Sequence, residues 1–144
     1  MLKEFAEFIE SKTSFVVGTT LQVGFQPLES PDRCSSILES IGGVPYFDIP
    51  GKIDKTFQIL SRSTRGKEAN IFDARDDAWE IFNALTANLP GLIKSSGWTL
   101  PIVVVGVEYV ADTIEAMNDP AYIGQDKQGR FEYSTNYIVR LRNA

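Results

Sequence analysis

Few residues of this sequence carry the chemistry of an enzyme active site. It has no histidine and a single cysteine, Cys34. Without histidine, Ser-His-Asp and Cys-His nucleophilic arrangements and imidazole-based zinc sites are excluded. Because one cysteine forms neither a thiolate cluster nor an internal disulfide, we expect Cys34 to be a small buried side chain in a reducing compartment.

Two glycine-containing segments share only part of a nucleotide-binding pattern. The segment "RSTRGKEA" at 62–69 stands between a predicted strand and a predicted helix. It lacks the first glycine of a phosphate-binding loop, and Glu68 stands where Ser or Thr would reach magnesium. The segment "IGGVP" at 41–45 lacks the third glycine of a dinucleotide fingerprint. We therefore expect Gly66 and Lys67 simply to begin a helix.

Four carboxylates at helical spacing are the remaining candidates for chemistry. Asp73, Asp76, Asp77 and Glu80 share one face of the predicted helix. Such a cluster could hold Mg²⁺ or Ca²⁺, which leaves open a small metal-dependent enzyme or regulatory domain. The alternative is the solvated face of an amphipathic helix, which is the commoner use of an acidic stripe. We favour the solvated face and expect no metal, no cofactor and no catalysis.

Length and charge favour one soluble domain spanning residues 1–144. The longest apolar run, "LPIVVVGV", is too short to cross a membrane, and "MLKEFAEFIESK" has the pattern of an amphipathic helix rather than a signal peptide. The net charge of −5 argues against a general nucleic-acid binder. Charge is segregated along the chain, which suits assembly with further copies. Basic residues gather at Lys52, Lys55, Arg62, Arg65 and Lys67, whereas the acidic region holds Glu108, Asp112, Glu115, Asp119 and Asp126.

Hydrophobic periodicity predicts two helices and five strands. The helices are at 2–12 and about 67–88, and the strands are at 19–27, 34–40, 55–63, 101–113 and from 131 onward. In the long helix an apolar stripe is formed by Ile71, Ala74, Ala78, Ile81 and Leu85, with Phe72 and Trp79 on its flank. Pro90 and Gly91 are expected to end this helix. A turn-rich excursion at 114–130 precedes the last strand. We interpret it as an exposed loop, although its length also allows a docking arm.

The last strand shows strict alternation from Phe131 onward, which predicts a half-buried strand of about 40 Å. Its apolar side consists of Phe131, Tyr133, Thr135, Tyr137, Val139 and Leu141. We expect this side to pack on the stripe of the long helix, leaving a row of charges on the other side. The predicted fold is α+β: a single domain with a mixed, mostly antiparallel sheet of about five strands and flanking helices.

The segment "KTFQILSRSTRGKEANIFDARDDAWEIFNAL" resembles the core of the tail-terminator, or neck, proteins of long-tailed bacteriophages, often called minor capsid proteins. The matching residues are Gln58, Ile59, Leu60, Arg62, Ala74, Ala78, Ile81 and Leu85. The order of features around this segment is also similar: a "PD" after an early strand, a "GG" before a proline-rich loop, and "DPAYIGQDKQGRFEYSTNYIV" as a late β-hairpin.

The resemblance implies a sheet with flanking helices, assembled as a homohexameric ring that caps the tail tube and joins it to the head connector. The implied partners are further copies, the tail tube protein and connector proteins, with genomic DNA only passing through the lumen and with the virion as location. Another head–tail connector or a head-completion protein is the alternative. The residues predicted at a subunit or ring interface are Arg62, Arg65, Phe72, Trp79, Asp119, Tyr122, Asp126, Arg130, Arg140 and Arg142.

Overall fold

The computed structural model of the protein describes residues 2–28, 32–45, 51–86, 102–104 and 107–143. Its two helices are α1 (Leu2–Lys12) and α2 (Ile71–Thr86), the second preceded by a 3₁₀ turn at Glu68–Asn70. Its strands are β1 (Leu21–Val23), β2 (Cys34–Pro45), β3 (Lys52–Arg62), β4 (Ile102–Val104), β5 (Val107–Ala116), β6 (Ala121–Gln125) and β7 (Phe131–Asn143). The predicted α+β class is confirmed.

All seven strands belong to one sheet, whose order is β1-β2-β3-β7-β5-β4, with β6 also paired to β7. Among the strand pairs of the described residues, β1–β2 is parallel and the other pairs are antiparallel. The long last strand is the centre of this sheet. It pairs with β3 without a register shift, from Lys52 opposite Arg142 to Arg62 opposite Glu132.

The core lies between the two helices and one face of the sheet. Alternate residues of β3 and β7 point into it, among them Phe57, Ile59, Tyr137 and Val139. The helices contribute Phe5, Ala6, Phe8, Ile9, Ile81 and Leu85. The Phe5 ring stacks on Phe57 with centroids 4.6 Å apart. The predicted packing of the helix stripe on the last strand is therefore confirmed, because α2 packs on β7 through buried members of that stripe.

Polar groups near the ends of both helices are used locally. In α1 the last turn exposes carbonyl groups that lack helical partners, and the Ser11 and Thr13 hydroxyls donate to Phe8 and Ile9 at 2.6 and 2.8 Å. The approach to α2 includes Gly66, which has a φ of 97° that only glycine adopts without strain. The predicted end of this helix at Pro90 and Gly91, and the connector that follows, lie outside the described residues.

Three predictions of strand position are corrected by the structure. The apolar run at 101–113 is not one strand, because Val104 of β4 pairs with Val107 of β5 in an antiparallel hairpin. The segment 102–107, which contains the reversal, has no polar side chain and therefore no alternation to mark it. The excursion at 114–130 contains β6. Strand β2 continues through the Gly42-Gly43 pair to Pro45, with register shifts that accommodate the break in the ladder.

Candidate assembly surface

The chain folds back on β7 through a long hairpin whose first arm is interrupted. Strands β5 and β6 lie along the same edge of β7, opposite residues 137–143 and 131–134 respectively. The residues between them, 117–120, leave the ladder, and Asn118 bridges this gap. Its Oδ1 accepts the backbone N–H of Asn136 at 3.0 Å, and its Nδ2 donates to the carbonyl of Ser134 at 3.2 Å. The hairpin therefore stays attached to β7 across the interruption.

A network of charged groups fixes the turn of this hairpin. Asp126 Oδ1 accepts the backbone N–H groups of Gln128 and Arg130, at 2.9 and 3.0 Å, which closes the turn. The Arg130 side chain then reaches Asp126 Oδ2 from Nε at 2.6 Å and Asp32 Oδ1 from Nη1 at 3.2 Å. Arg65 Nε donates to the same Asp32 oxygen at 3.0 Å. One carboxylate therefore joins the β6–β7 turn, the end of β3 and the loop before β2.

Arg62 holds the same loop by its backbone. Its Nε donates to the carbonyl of Asp32 at 2.8 Å, and its Nη1 donates to the carbonyl of Pro27. Residues Phe57 and Ile59 point toward the helices, so Arg62, whose position differs from theirs by an odd number, points to the opposite face of the sheet. Arg62 thereby anchors the backbone of the loop between β1 and β2 at Pro27 and Asp32.

Two carboxyl groups of the network are held ionised by their partners. The hydrogen bond from Arg65 lowers the pKa of Asp32, and burial only partly opposes this effect. For Asp126, burial favours the neutral form, but the backbone and guanidinium hydrogen bonds from Arg130 outweigh it and lower the pKa. Glu132 behaves in the opposite way, because burial and the nearby charge of Asp126 raise its pKa.

Two of the arginines predicted at an interface are buried within the subunit. Arg62 and Arg130 were predicted at a subunit or ring interface, but they are 1% and 2% exposed. In this chain they are internal anchors, and their charges are directed to Asp32, Asp126 and backbone carbonyls. Alternation alone places a side chain on a face of the sheet, and it cannot show that a loop from elsewhere in the chain covers that face.

An aromatic groove opens between the start of α2 and the hairpin. We define the aromatic groove by Ile71, Phe72, Tyr122 and Phe131. It is a cavity of about 500 Å³ lined by Ile71, Phe72, Phe131 and Glu68. The Tyr122 ring extends this apolar surface, with its centroid 6.3 Å from that of Phe131. Phe72 and Tyr122 are 52% and 47% exposed, so two large aromatic side chains of the groove face solvent.

The other predicted interface residues lie in separate places. Trp79 is exposed on α2 and makes an edge contact with Phe82, with centroids 5.0 Å apart. Asp119 lies exposed in the interruption of the hairpin. Arg142 is exposed near the end of β7, and Arg140 pairs with Glu115 at 2.7 Å and Asp54 at 3.7 Å. The structure thus groups Phe72 with Tyr122, and Arg65 with Asp126 and Arg130, but it places the remaining residues apart.

The acidic stripe of α2 is only partly a solvated face. Asp77 is buried and accepts two hydrogen bonds from Arg33, at 3.0 and 2.9 Å. Glu80 accepts from the hydroxyl and backbone N–H of Ser14 at 2.8 and 3.0 Å. These carboxylates connect α2 to the loops that precede β1 and β2. Within the described residues, no group of three or more potential ligands is placed to hold a metal ion.

Two contributors to the site were missed from the sequence. Asn118 had no role in the interpretation of the excursion, and Asp32 was used only as part of the "PD" that follows an early strand. The turn residues around each were the available signal, because Asn and Asp side chains commonly bond neighbouring backbone groups in turns. Their distant partners, Asn136 and Arg130, carried no such signal.

A continuous sheet, an anchored hairpin and an exposed aromatic groove define an α+β protein built to contact other proteins. The family model described as "Bacteriophage tail terminator protein" matches residues 8–143. The chain therefore belongs to the bacteriophage tail terminator family, and its role is a structural one in the phage tail. A search of curated proteins found no match. No helix in the described ranges is long and apolar enough to cross a membrane.

Proposed function

We propose that the chain forms a homohexameric ring at the phage neck, where it caps the tail tube and joins the tail to the head connector. The family match over residues 8–143 is the observation that carries this proposal. The ring belongs to the assembled virion, and its direct partners are further copies, the tail tube protein and the connector. In this role the protein acts by binding and positioning other proteins, without a chemical step.

The exposed aromatic groove supports an assembly role on physical grounds. Phe72 and Tyr122 expose about half of their surface, and a small protein rarely leaves neighbouring aromatic side chains in water without a partner. Aromatic side chains are enriched where proteins meet. The groove is also bordered by a hairpin whose turn is fixed by ion pairs, so its shape is defined before a partner binds.

The overall charge is consistent with a ring through which DNA passes. The net charge of −5 gives the subunit little of the basic surface with which proteins hold phosphate backbones. A weak interaction is what passage requires, because a lumen that bound DNA tightly would oppose its movement. We therefore place DNA among the molecules that pass through the assembly and not among those that it binds.

Native mass spectrometry and negative-stain electron microscopy test the ring, first with the purified protein and then with isolated tail tubes. We expect hexamers or sixfold rings, and a single ring at one end of each tube. Immunogold labelling of virions should place the protein at the head–tail junction. A protein that stays monomeric, does not bind tube ends and labels another part of the virion would refute the proposal.

A further inference from the structure

A second exposed apolar surface lies on the loop that follows β1. Phe25 and Leu28 are 56% and 75% exposed, and we define these two residues as the loop knob. Pro27 lies between them in the sequence. Its carbonyl accepts a hydrogen bond from the buried Arg62. The knob therefore stands on an anchored backbone and not on a free loop.

The loop knob and the aromatic groove are formed by different elements of the subunit. Ile71 and Phe72 belong to α2, which packs on the face that carries Phe57 and Ile59. Arg62, which holds the loop, points to the other face by the alternation of β3. Each copy therefore offers both surfaces, and a contact between copies can join the knob of one copy to the groove of the next.

We propose that the loop knob of one copy inserts into the aromatic groove of the next copy. The inference rests on the proposed ring, and it names the two surfaces that form each subunit contact. A contact between two different surfaces of identical chains is heterologous, and repetition of such a contact closes into a ring when the rotation is right. The protruding knob and the concave groove supply the two unlike halves that this arrangement requires.

The size of the two surfaces fits an interface core. With about 200 Å² for a large side chain, the exposed parts of Phe25, Leu28, Phe72 and Tyr122 amount to roughly 450 Å² of apolar surface. A standard interface buries about 1,600 Å² in total, of which about 900 Å² is apolar. The four side chains thus provide about half of that apolar area. The cavity of about 500 Å³ has room for the side chains of the knob.

Charged substitutions in each surface give a test that a role in folding alone would not satisfy. The two variants are Phe72→Glu and Leu28→Glu, and the matched control is Val16→Glu, because Val16 is also an exposed hydrophobic residue and lies outside both surfaces. We expect each variant to keep the wild-type circular dichroism spectrum and to weaken ring assembly by at least about tenfold. The control should assemble normally.

Mixing the two variants isolates the heterologous contact. The Phe72→Glu chain keeps an intact knob and the Leu28→Glu chain keeps an intact groove, so an equimolar mixture can form one wild-type contact per pair. We expect heterodimers in native mass spectrometry of the mixture, no dimers of either variant alone, and no closed rings. Heterodimers would not form if both substitutions damaged one shared surface, and that result would overturn the inference.

A cross-link between Leu28→Cys and Phe72→Cys in one chain provides the second measurement. The native Cys34 is buried, and this burial raises the pKa of its thiol, so it should not compete. An intrachain disulfide would leave the double variant monomeric on a non-reducing gel, and it would overturn the inference because the two positions would then meet within one copy. Oxidation should give covalent oligomers up to the size of the ring, and neither single variant should give more than dimers.

The outcomes separate this inference from the proposed ring. If the wild type forms rings but the double-cysteine variant gives no cross-link between copies, the knob-and-groove contact would be overturned and the ring would stand. The same holds if Phe72→Glu and Leu28→Glu both assemble normally. Rings that persist in Phe72→Glu but no longer bind tail tubes would assign the groove to the tube protein and overturn the inference in the same way. Absence of any wild-type assembly, with or without tubes, would refute both.

Discussion

Replacement of Arg130 by methionine tests whether the buried ion-pair network stabilises the hairpin. The Arg130 side chain is almost completely buried and bridges Asp126 and Asp32, which lie far apart in the sequence. Methionine is similar in length and has no charge, so it removes both ion pairs while it leaves only a small cavity. The two carboxylates then lose the partner that they share.

The expected loss follows from the geometry. Removal of one partner from a buried ion pair costs about 3–5 kcal/mol, because the other charge is left without compensation. Two features reduce the loss here. The side chains of Asp126 and Asp32 are 19% and 28% exposed, so water reaches them. Asp32 also keeps its hydrogen bond from Arg65. We therefore expect Arg130→Met to lower the free energy of unfolding by about 2–4 kcal/mol.

Urea unfolding and calorimetry at one fixed protein concentration measure this loss. At about 4 °C for each kcal/mol, the Tm should fall by roughly 8–16 °C. Lys127→Met is the matched control, because Lys127 lies exposed in the same turn and the substitution removes the same charge. The control should stay within about 0.5 kcal/mol of wild type. Amide hydrogen exchange should show faster exchange in β6 of the Arg130 variant only.

A double-mutant cycle with Asp126→Asn identifies the source of the loss. If Arg130 acts through Asp126, the two substitutions together should cost clearly less than the sum of the single losses. Equal losses for Arg130→Met and Lys127→Met, or strictly additive effects in the cycle, would show that the network does not stabilise the hairpin.

Three further predictions follow from the core, the gap in the hairpin and the ionised groups. Ile81→Ala should cost about 2–5 kcal/mol in urea unfolding through lost burial and a cavity, and a loss below about 1 kcal/mol would contradict its place in the core. Asn118→Ala should cost about 1–2 kcal/mol by leaving two backbone groups of β7 without partners, and hydrogen exchange should be faster at Asn136 than in wild type. Because the pKa values of Asp32 and Asp126 are lowered by folding, the stability that these groups contribute is present above their ordinary pKa values and is lost as the pH falls through the lowered values. The pKa of Glu132 is raised, so Glu132→Gln should stabilise the protein at pH 7 and have no effect below the ordinary glutamate pKa, and an unchanged Tm at pH 7 would contradict this.

The structure changes the result expected when the charges at the end of β7 are reversed. The alternation of the last strand predicts that Arg140 and Arg142 are equivalent surface positions. Arg140 in fact pairs with Glu115 and Asp54, so a glutamate there would face two like charges, whereas Arg142 is exposed. Arg142→Glu is therefore the cleaner probe of whether this end of the strand meets a neighbouring subunit.

The local elements of this protein are determined by its sequence. The spacing of Phe5, Ile9, Ile81 and Leu85 specifies two amphipathic helices, and the alternation from Phe131 onward specifies a long strand with one buried side. These patterns can be recognised in sequence because each arises from neighbouring residues and from the period of one helix or strand. They were sufficient for the α+β class and the contact of α2 with β7.

Only the tertiary structure decided which loop covers which face and which distant charges meet. Arg130 and Asp32 are 98 positions apart, and nothing local to either indicates the other. The sequence pattern placed Arg62 and Arg130 among candidate interface residues, whereas both side chains are almost completely buried in the subunit and bond to Asp32. The reversal between β4 and β5 was missed for a related reason. Strand pairing depends on partners brought together by the whole chain, and the apolar segment 102–107 has no alternation that marks them.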